Sequence, residues 1–188
     1  MIKIKILLKK FYMNDTKQVA KDLLGKTLVR KIGTQILSGV ITETEAYKGE
    51  NDPASHASRK KTERNKIMFS EVGIAYVYFT YGMHYCFNVV AKKKNDKAGA
   101  VLIRAIQPQQ GINHMIKNRK TDIISNLTNG PGKLTQAMQI TLKQYNHDLT
   151  KKSSLFIIDG EKPNKIIAKP RVGIKIGVDK LWNFSYKI

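Results

Sequence analysis

The segment "IAYVYFTYGMHYCFNVVAK", residues 74–92, constrains the fold most. β-branched and aromatic residues stand on both sides of a Tyr81-Gly82 pair, the composition of two pleated strands joined by a turn. Tyr76, Tyr78, Tyr81 and Tyr85 crowd this hairpin. Tyr78 and Asn88 share a sheet face only if the connecting loop, or a bulge, holds an odd number of residues.

Around the hairpin, strand signals alternate with shorter helical ones. "NDTKQVAKDLLGK" predicts a helix capped by Asp15 or Thr16 and stopped at Gly25. "KTLVRKIGTQILSGVITETEAY" reads as two strands turning near Gly33. "DPASHASRKKTERNKIMF" is a polar, basic loop with one helical turn, and "AGAVLIRAIQP" is a buried strand. Pro108 marks a helix start in "PQQGINHMIKNRK", and "GPGKLTQAMQITL" is a third helix. "SLFIIDG" and "RVGIKIGVDKLWNF" return to strands. Strands dominate with helices between them, so the expected class is α+β with a curved, largely antiparallel sheet. No repeat or linker divides the chain, so residues 1–188 are expected to form one domain.

Charge narrows the function classes. Among 188 residues, 34 are Lys or Arg and 14 are Asp or Glu, a net charge of +20. Such a surface fits a polyanion, most often nucleic acid. Lys far outnumbers Arg, as a biased coding composition would also produce. The one cysteine, Cys86, excludes an internal disulfide framework and a Cys-rich metal site, and it suits a reducing, cytoplasmic setting. No run approaches the roughly 18 apolar residues of a membrane span. Lys interrupts the apolar part of "MIKIKILLKKFYM", so the N-terminus reads as mature sequence, not a signal peptide.

Against this basic background, "ITETEAYKGENDPASHA" concentrates carboxylates. Strand alternation puts Glu43, Glu45 and Tyr47 on one face and Thr42, Thr44 and Ala46 on the other. An ionised carboxylate beside an aromatic can serve as a general base next to a stacking platform. Periodicity does not choose between Glu43 and Glu45. His56 follows in a turn-rich segment. The spacing of these residues matches no specific metal motif. Tyr81 sits at an exposed tip, where an aromatic gains little from burial and can wedge into a base stack. Asn88 needs a partner for its amide, either backbone or ligand. "NGPGK" at 129–133 lacks a P-loop's spacing, but backbone N–H groups before Lys133 can hold a phosphate. "RKKTERNK" and the lysines at 92–94 would add affinity without sequence preference.

The blocks "FYMNDTKQVAKDLLGKTLVR", "ETEAY", "DPASHA", "RNKIMF", "AYVYFTYGMHYCFN", "VLIRAIQP", "NGPGKLTQAM" and "RVGI" occur in that order. Together they resemble the alkyladenine (3-methyladenine) DNA glycosylase family, from about Phe11 to Phe184. The resemblance implies a single mixed α+β domain, no cofactor, and a monomer acting on duplex DNA that contains damaged purines. It implies hydrolytic release of 3-methyladenine, 7-methylguanine, ethenoadenine and hypoxanthine, leaving an abasic site. By resemblance Glu45, not Glu43, is the general base, and Arg104 helps position the water. Tyr47, His56 and Tyr78 would sandwich the extruded base. Asn88 would crowd the 2-amino group of guanine. Tyr81, with Met83 beside it, would enter the minor groove, and Lys133 would meet the backbone. His84 departs from the family, which often has an aromatic there, and the chain is short beyond "WNF". Two rivals remain: a binding module without chemistry, which charge alone favours, and a metal-dependent nuclease using the Glu pair.

Overall fold

Each apolar-alternating segment must bury one face, and pairing them edge to edge builds the sheet. The computed structural model describes residues 5–187. Residues 1–4, on which part of the mature-N-terminus reading rests, lie outside them. β1 (Thr27–Ile32) and β2 (Gln35–Lys48) form a hairpin turning at Gly33. β3 (Ala75–Thr80) and β4 (His84–Val90) form the aromatic hairpin, and β5 (Gly99–Gln110) lies between β4 and β2. β6 (Leu155–Ile158) pairs with β1, and β7 (Ile167–Lys169) with β8 (Asn183–Ser185). All these pairings are antiparallel, in the order β3-β4-β5-β2-β1-β6. The domain is α+β, with a curled antiparallel sheet and, among the described residues, four α-helices.

β2 organises the sheet. One edge pairs with β5 from Ser38 to Lys48. The other edge is shared: β1 takes the first half, and β8 takes Glu43 to Glu45. The chain's last strand therefore lies beside its most acidic stretch.

Alternation sorts the sheet into two faces. On one, Ile41, Ala46, Phe87, Val101 and Ile103 form the main core. Helices α2 (Thr16–Asp22), α3 (Ile112–Arg119) and α4 (Pro131–Ala137) contribute Val19, Met115 and Leu134 to it. On the other face Tyr76, Val90 and Ala100 pack under Ala57, Ile67 and Met68 of the polar loop. The loop's helical turn is a short 3-10 segment, Lys66–Phe69.

Asp15 caps α2 by accepting the Lys17 N–H, while Thr16 donates its hydroxyl to the Ala91 carbonyl. Gly25 ends this region at φ +81, and a Cβ there would meet the Glu161 carbonyl oxygen at 1.9 Å.

Pro108 does not start a helix. It stays in β5 opposite Gly39, beside a register shift of the kind where strands tolerate proline, and α3 begins only after Gly111. Residues 171–182 are not a strand. Gly173 and Gly177 take left-handed conformations that break the pleat, and only Asn183–Ser185 pairs as β8. The third helix stops at Ala137, followed by left-handed Gln139 and a 3-10 turn at Leu142–Gln144. The short α1 (Lys9–Tyr12) and β7 carried no sequence signal that we read.

Candidate active site

The aromatic hairpin closes through three residues, Tyr81, Gly82 and Met83, with Thr80 opposite His84. That odd count meets the register condition. Tyr76 lies opposite Asn88 and Tyr78 opposite Cys86, so all four face the same side. Asn88 is buried and donates its amide to the Tyr76 carbonyl at 3.0 Å, so its firm partner is backbone.

A second irregularity aims the charged groups. Ile41 pairs with Ile106, Glu43 with Ala105 and Thr44 with Ile103. Thr42 and Arg104 are thus each one extra residue, a compensated pair of bulges. Thr44 and Ala46 turn into the core, with the Thr44 hydroxyl on the Ala20 carbonyl. Glu45 and Tyr47 face the opposite side, together with Leu102, Arg104, Tyr78 and Asn88.

These side chains line a cavity of about 380 Å³. Glu45 is fully buried. Its Oε1 accepts the Val172 N–H at 2.7 Å and the Asn183 amide at 2.9 Å, with Arg104 Nη1 at 3.5 Å. Its Oε2 accepts the Tyr47 hydroxyl at 2.7 Å. A buried carboxylate needs such donors to remain ionised. Burial and the Glu45 charge push the Tyr47 hydroxyl far above the usual phenol range, so it stays a donor. Glu43 does not line the cavity. It accepts Asn183 Nδ2 at 2.7 Å and Arg104 Nε at 3.2 Å, so one amide bridges both carboxylates. Geometry thus separates two glutamates that periodicity could not.

The walls are aromatic. Tyr76 and Tyr78 lie 5.2 Å apart, and the His56 ring meets Tyr78 edge-on at 4.9 Å. His56 Nδ1 is 2.9 Å from the Tyr76 hydroxyl. Desolvation by surrounding protein, followed by the nearby Arg64 guanidinium, lowers the His56 pKa to about 4. Arg64 caps one face of Tyr78 at 4.9 Å. Burial pushes the Cys86 thiol up, which favours the protonated thiol over the thiolate. Tyr81 is at the rim, 83% exposed and left-handed at φ +51. A non-glycine residue held there without burial marks a constrained tip.

Glu45, Arg104, Tyr47, His56, Tyr78, Asn88 and Tyr81 therefore converge on one cavity. Met83 and Lys133 do not. Met83 lies at the exposed tip beside a neighbouring groove, and Lys133 turns its ammonium to the Asn126 and Asn129 side chains. Among the described residues no group of three or more His, Cys, Asp or Glu side chains is spaced to hold a metal ion.

Residues 10–187 match the family model described as Methylpurine-DNA glycosylase (MPG). The chain belongs to that family. It is 49% identical over 182 residues to a protein of Prosthecochloris aestuarii, covering 94% of this chain and 85% of that one. It is 48% identical over 184 residues to one of Carboxydothermus hydrogenoformans, covering 97% and 95%. A protein of Methanocella arvoryzae is 45% identical over 186 residues, covering 97% and 92%. All three carry the provisional name 3-methyladenine DNA glycosylase.

Within this methylpurine-DNA glycosylase fold, sequence reasoning missed the C-terminal half of the site. Val172 and Asn183 hold Glu45 from 127 and 138 residues away. The "RVGI" block stood out as a motif but was given no role, and Asn183 carried no signal at all.

Proposed function

We propose that this chain is a monofunctional purine-DNA glycosylase. It hydrolyses the N-glycosidic bond of alkylated or deaminated purines extruded from duplex DNA and leaves an abasic site. The substrates are 3-methyladenine, 7-methylguanine, ethenoadenine and hypoxanthine. The observation that carries this reading is the fully buried Glu45 carboxylate, met by the Val172 N–H, the Asn183 amide and the Tyr47 hydroxyl, at the base of an aromatic-walled cavity.

Extruding a purine costs a few kcal/mol, least at a damaged pair. Stacking in the cavity returns about 1–3 kcal/mol per aromatic contact. Tyr47, Tyr78 and His56 flank the base, and a base on the capped face of Tyr78 displaces Arg64. Electron-rich rings favour a cationic alkylated purine, which is also a ready leaving group. Three groups crowd Glu45 Oε1 and one donates to Oε2, which leaves Oε2 to accept a proton from water. Bond breaking passes through an oxocarbenium-like state, which the carboxylate stabilises before it deprotonates the attacking water. Arg104 positions the water, and Tyr81 fills the gap in the stack. Met83 and Lys133 contact the duplex outside the cavity. The protein works as a cytoplasmic, nucleoid-bound monomer and needs no cofactor. Among the described residues, no helix is long and apolar enough to cross a membrane.

The test is single-turnover incubation in EDTA with duplexes carrying one ethenoadenine or one hypoxanthine, and with methylated DNA, with and without later alkali. Strand breaks appear only after alkali. Breaks without alkali would point to a lysine lyase or a nuclease, and no breaks in any substrate to a binding module. Glu45→Gln lowers release by at least about 10²-fold while lesion binding persists.

A further inference from the structure

Asp52 and Arg171 form an ion pair with no exposed side-chain surface on either partner. The guanidinium is bidentate, Nη1 to Oδ2 and Nη2 to Oδ1, both at 2.7 Å. Nη1 also donates to the Ala46 carbonyl at 2.9 Å, and Asp52 Oδ2 accepts the Lys48 N–H at 3.0 Å. The guanidinium lies between two rings, 4.7 Å from Tyr47 and 5.1 Å from Trp182. Neither residue lines the cavity.

Fully buried ion pairs contribute little net stability, because desolvation offsets their attraction. An apolar pair of similar volume would hold the three segments together as well. The guanidinium's planar fork offers something else, which is fixed direction. It ties β2 on either side of Tyr47, the loop that carries His56, and the segment that begins with Val172. Glu45 takes its two closest hydrogen bonds, both 2.7 Å, from Tyr47 and Val172. Arg171 stacks on the first of these donors and is the chain neighbour of the second.

We propose that Asp52 and Arg171 are positioning residues that aim the Tyr47 hydroxyl and the Val172 N–H at the two oxygens of Glu45. This inference rests on the reading of Glu45 as the base. The pair touches no reacting atom. It orients the carboxylate's donors from one layer behind the cavity wall.

The test reads Glu45 directly. Protein labelled with ¹³C-glutamate is examined by NMR at one neutral pH, with Glu45→Gln used for assignment, and base release is measured on the same samples. In Arg171→Lys and Asp52→Asn the Glu45 side-chain carboxyl resonance leaves its wild-type position, because its donors are no longer aimed at it. Base release falls about tenfold, in kcat and not in KM. Arg171→Met combined with Asp52→Leu replaces the pair by apolar packing, so it folds even where single variants do not. It shows the same displaced resonance and the same slow release. A wild-type Glu45 resonance in a folded variant overturns the proposal, whatever the activity. Wild-type protein that releases no purine overturns the proposed function instead, and the resonance still decides the pair.

Discussion

The Tyr47 hydroxyl donates to Glu45 Oε2 at 2.7 Å, two residues apart on one face of one strand. A residue expected only to stack on the extruded purine is thereby also a hydrogen-bond partner of the carboxylate proposed as general base. Tyr47→Phe keeps the ring and deletes the bond. A hydrogen bond to a charged group contributes about 1.5–3 kcal/mol. Single-turnover release therefore falls roughly 10- to 100-fold, while binding to a lesion duplex changes little.

Tyr81 carries no burial and touches no core. Tyr81→Ala leaves the melting temperature close to wild type, since exposed substitutions stay within about 0.5 kcal/mol. The extrusion equilibrium, read by the fluorescence of a reporter base, shifts back toward the stacked state. The shift is largest where the lesion pairs well, because there the wedge must offset the most unpairing.

His56 stays neutral across the working pH range, since its pKa is lowered to about 4. The pH–rate profile has no step near 6.5 that His56→Asn removes. The stability effect has a defined sign. Between pH 6.5 and about 4 the unfolded chain binds a proton that the folded imidazole refuses. Stability therefore falls as pH is lowered through that window, and nothing changes above it. The ring is at the cavity mouth, so solvent screening keeps the effect small. Melting curves of wild type and His56→Asn recorded from pH 7 to pH 4 test it.

With a net charge of +20, DNA affinity falls steeply with salt. The log–log slope is about −0.9 for each phosphate neutralised. Lys133→Ala and Arg64→Ala each reduce the slope by about one where the side chain meets a phosphate. A flat salt response measured on an undamaged duplex would make the charge compositional.

The parts of the site built from alternation were legible. Glu45 and Tyr47 share a strand face, and alternation gave the condition under which Tyr78 and Asn88 do, which the three-residue loop meets. The bulges were not legible. Thr42 and Arg104 look like ordinary strand residues, and only pairing with a partner exposes the extra residue on each side. Pro108 carried a helix-start signal that the β5 register shift overrides. Residues 171–182 have apolar spacing that mimics a strand, while Gly173 and Gly177 dictate a loop. Arg171, Val172 and Asn183 act across more than a hundred residues, and no local pattern encodes such contacts.

The division of one β2 edge between β1 and β8 has a temporal meaning. Synthesis proceeds from the N-terminus. The cavity walls, Tyr47 to Asn88, are made long before the residues that ready Glu45. Until Val172 and Asn183 emerge and β8 docks, the carboxylate lacks two of its hydrogen bonds, those from the Val172 N–H and the Asn183 amide. On the proposed function, the hydrolytic centre is therefore the last part of the site that synthesis completes.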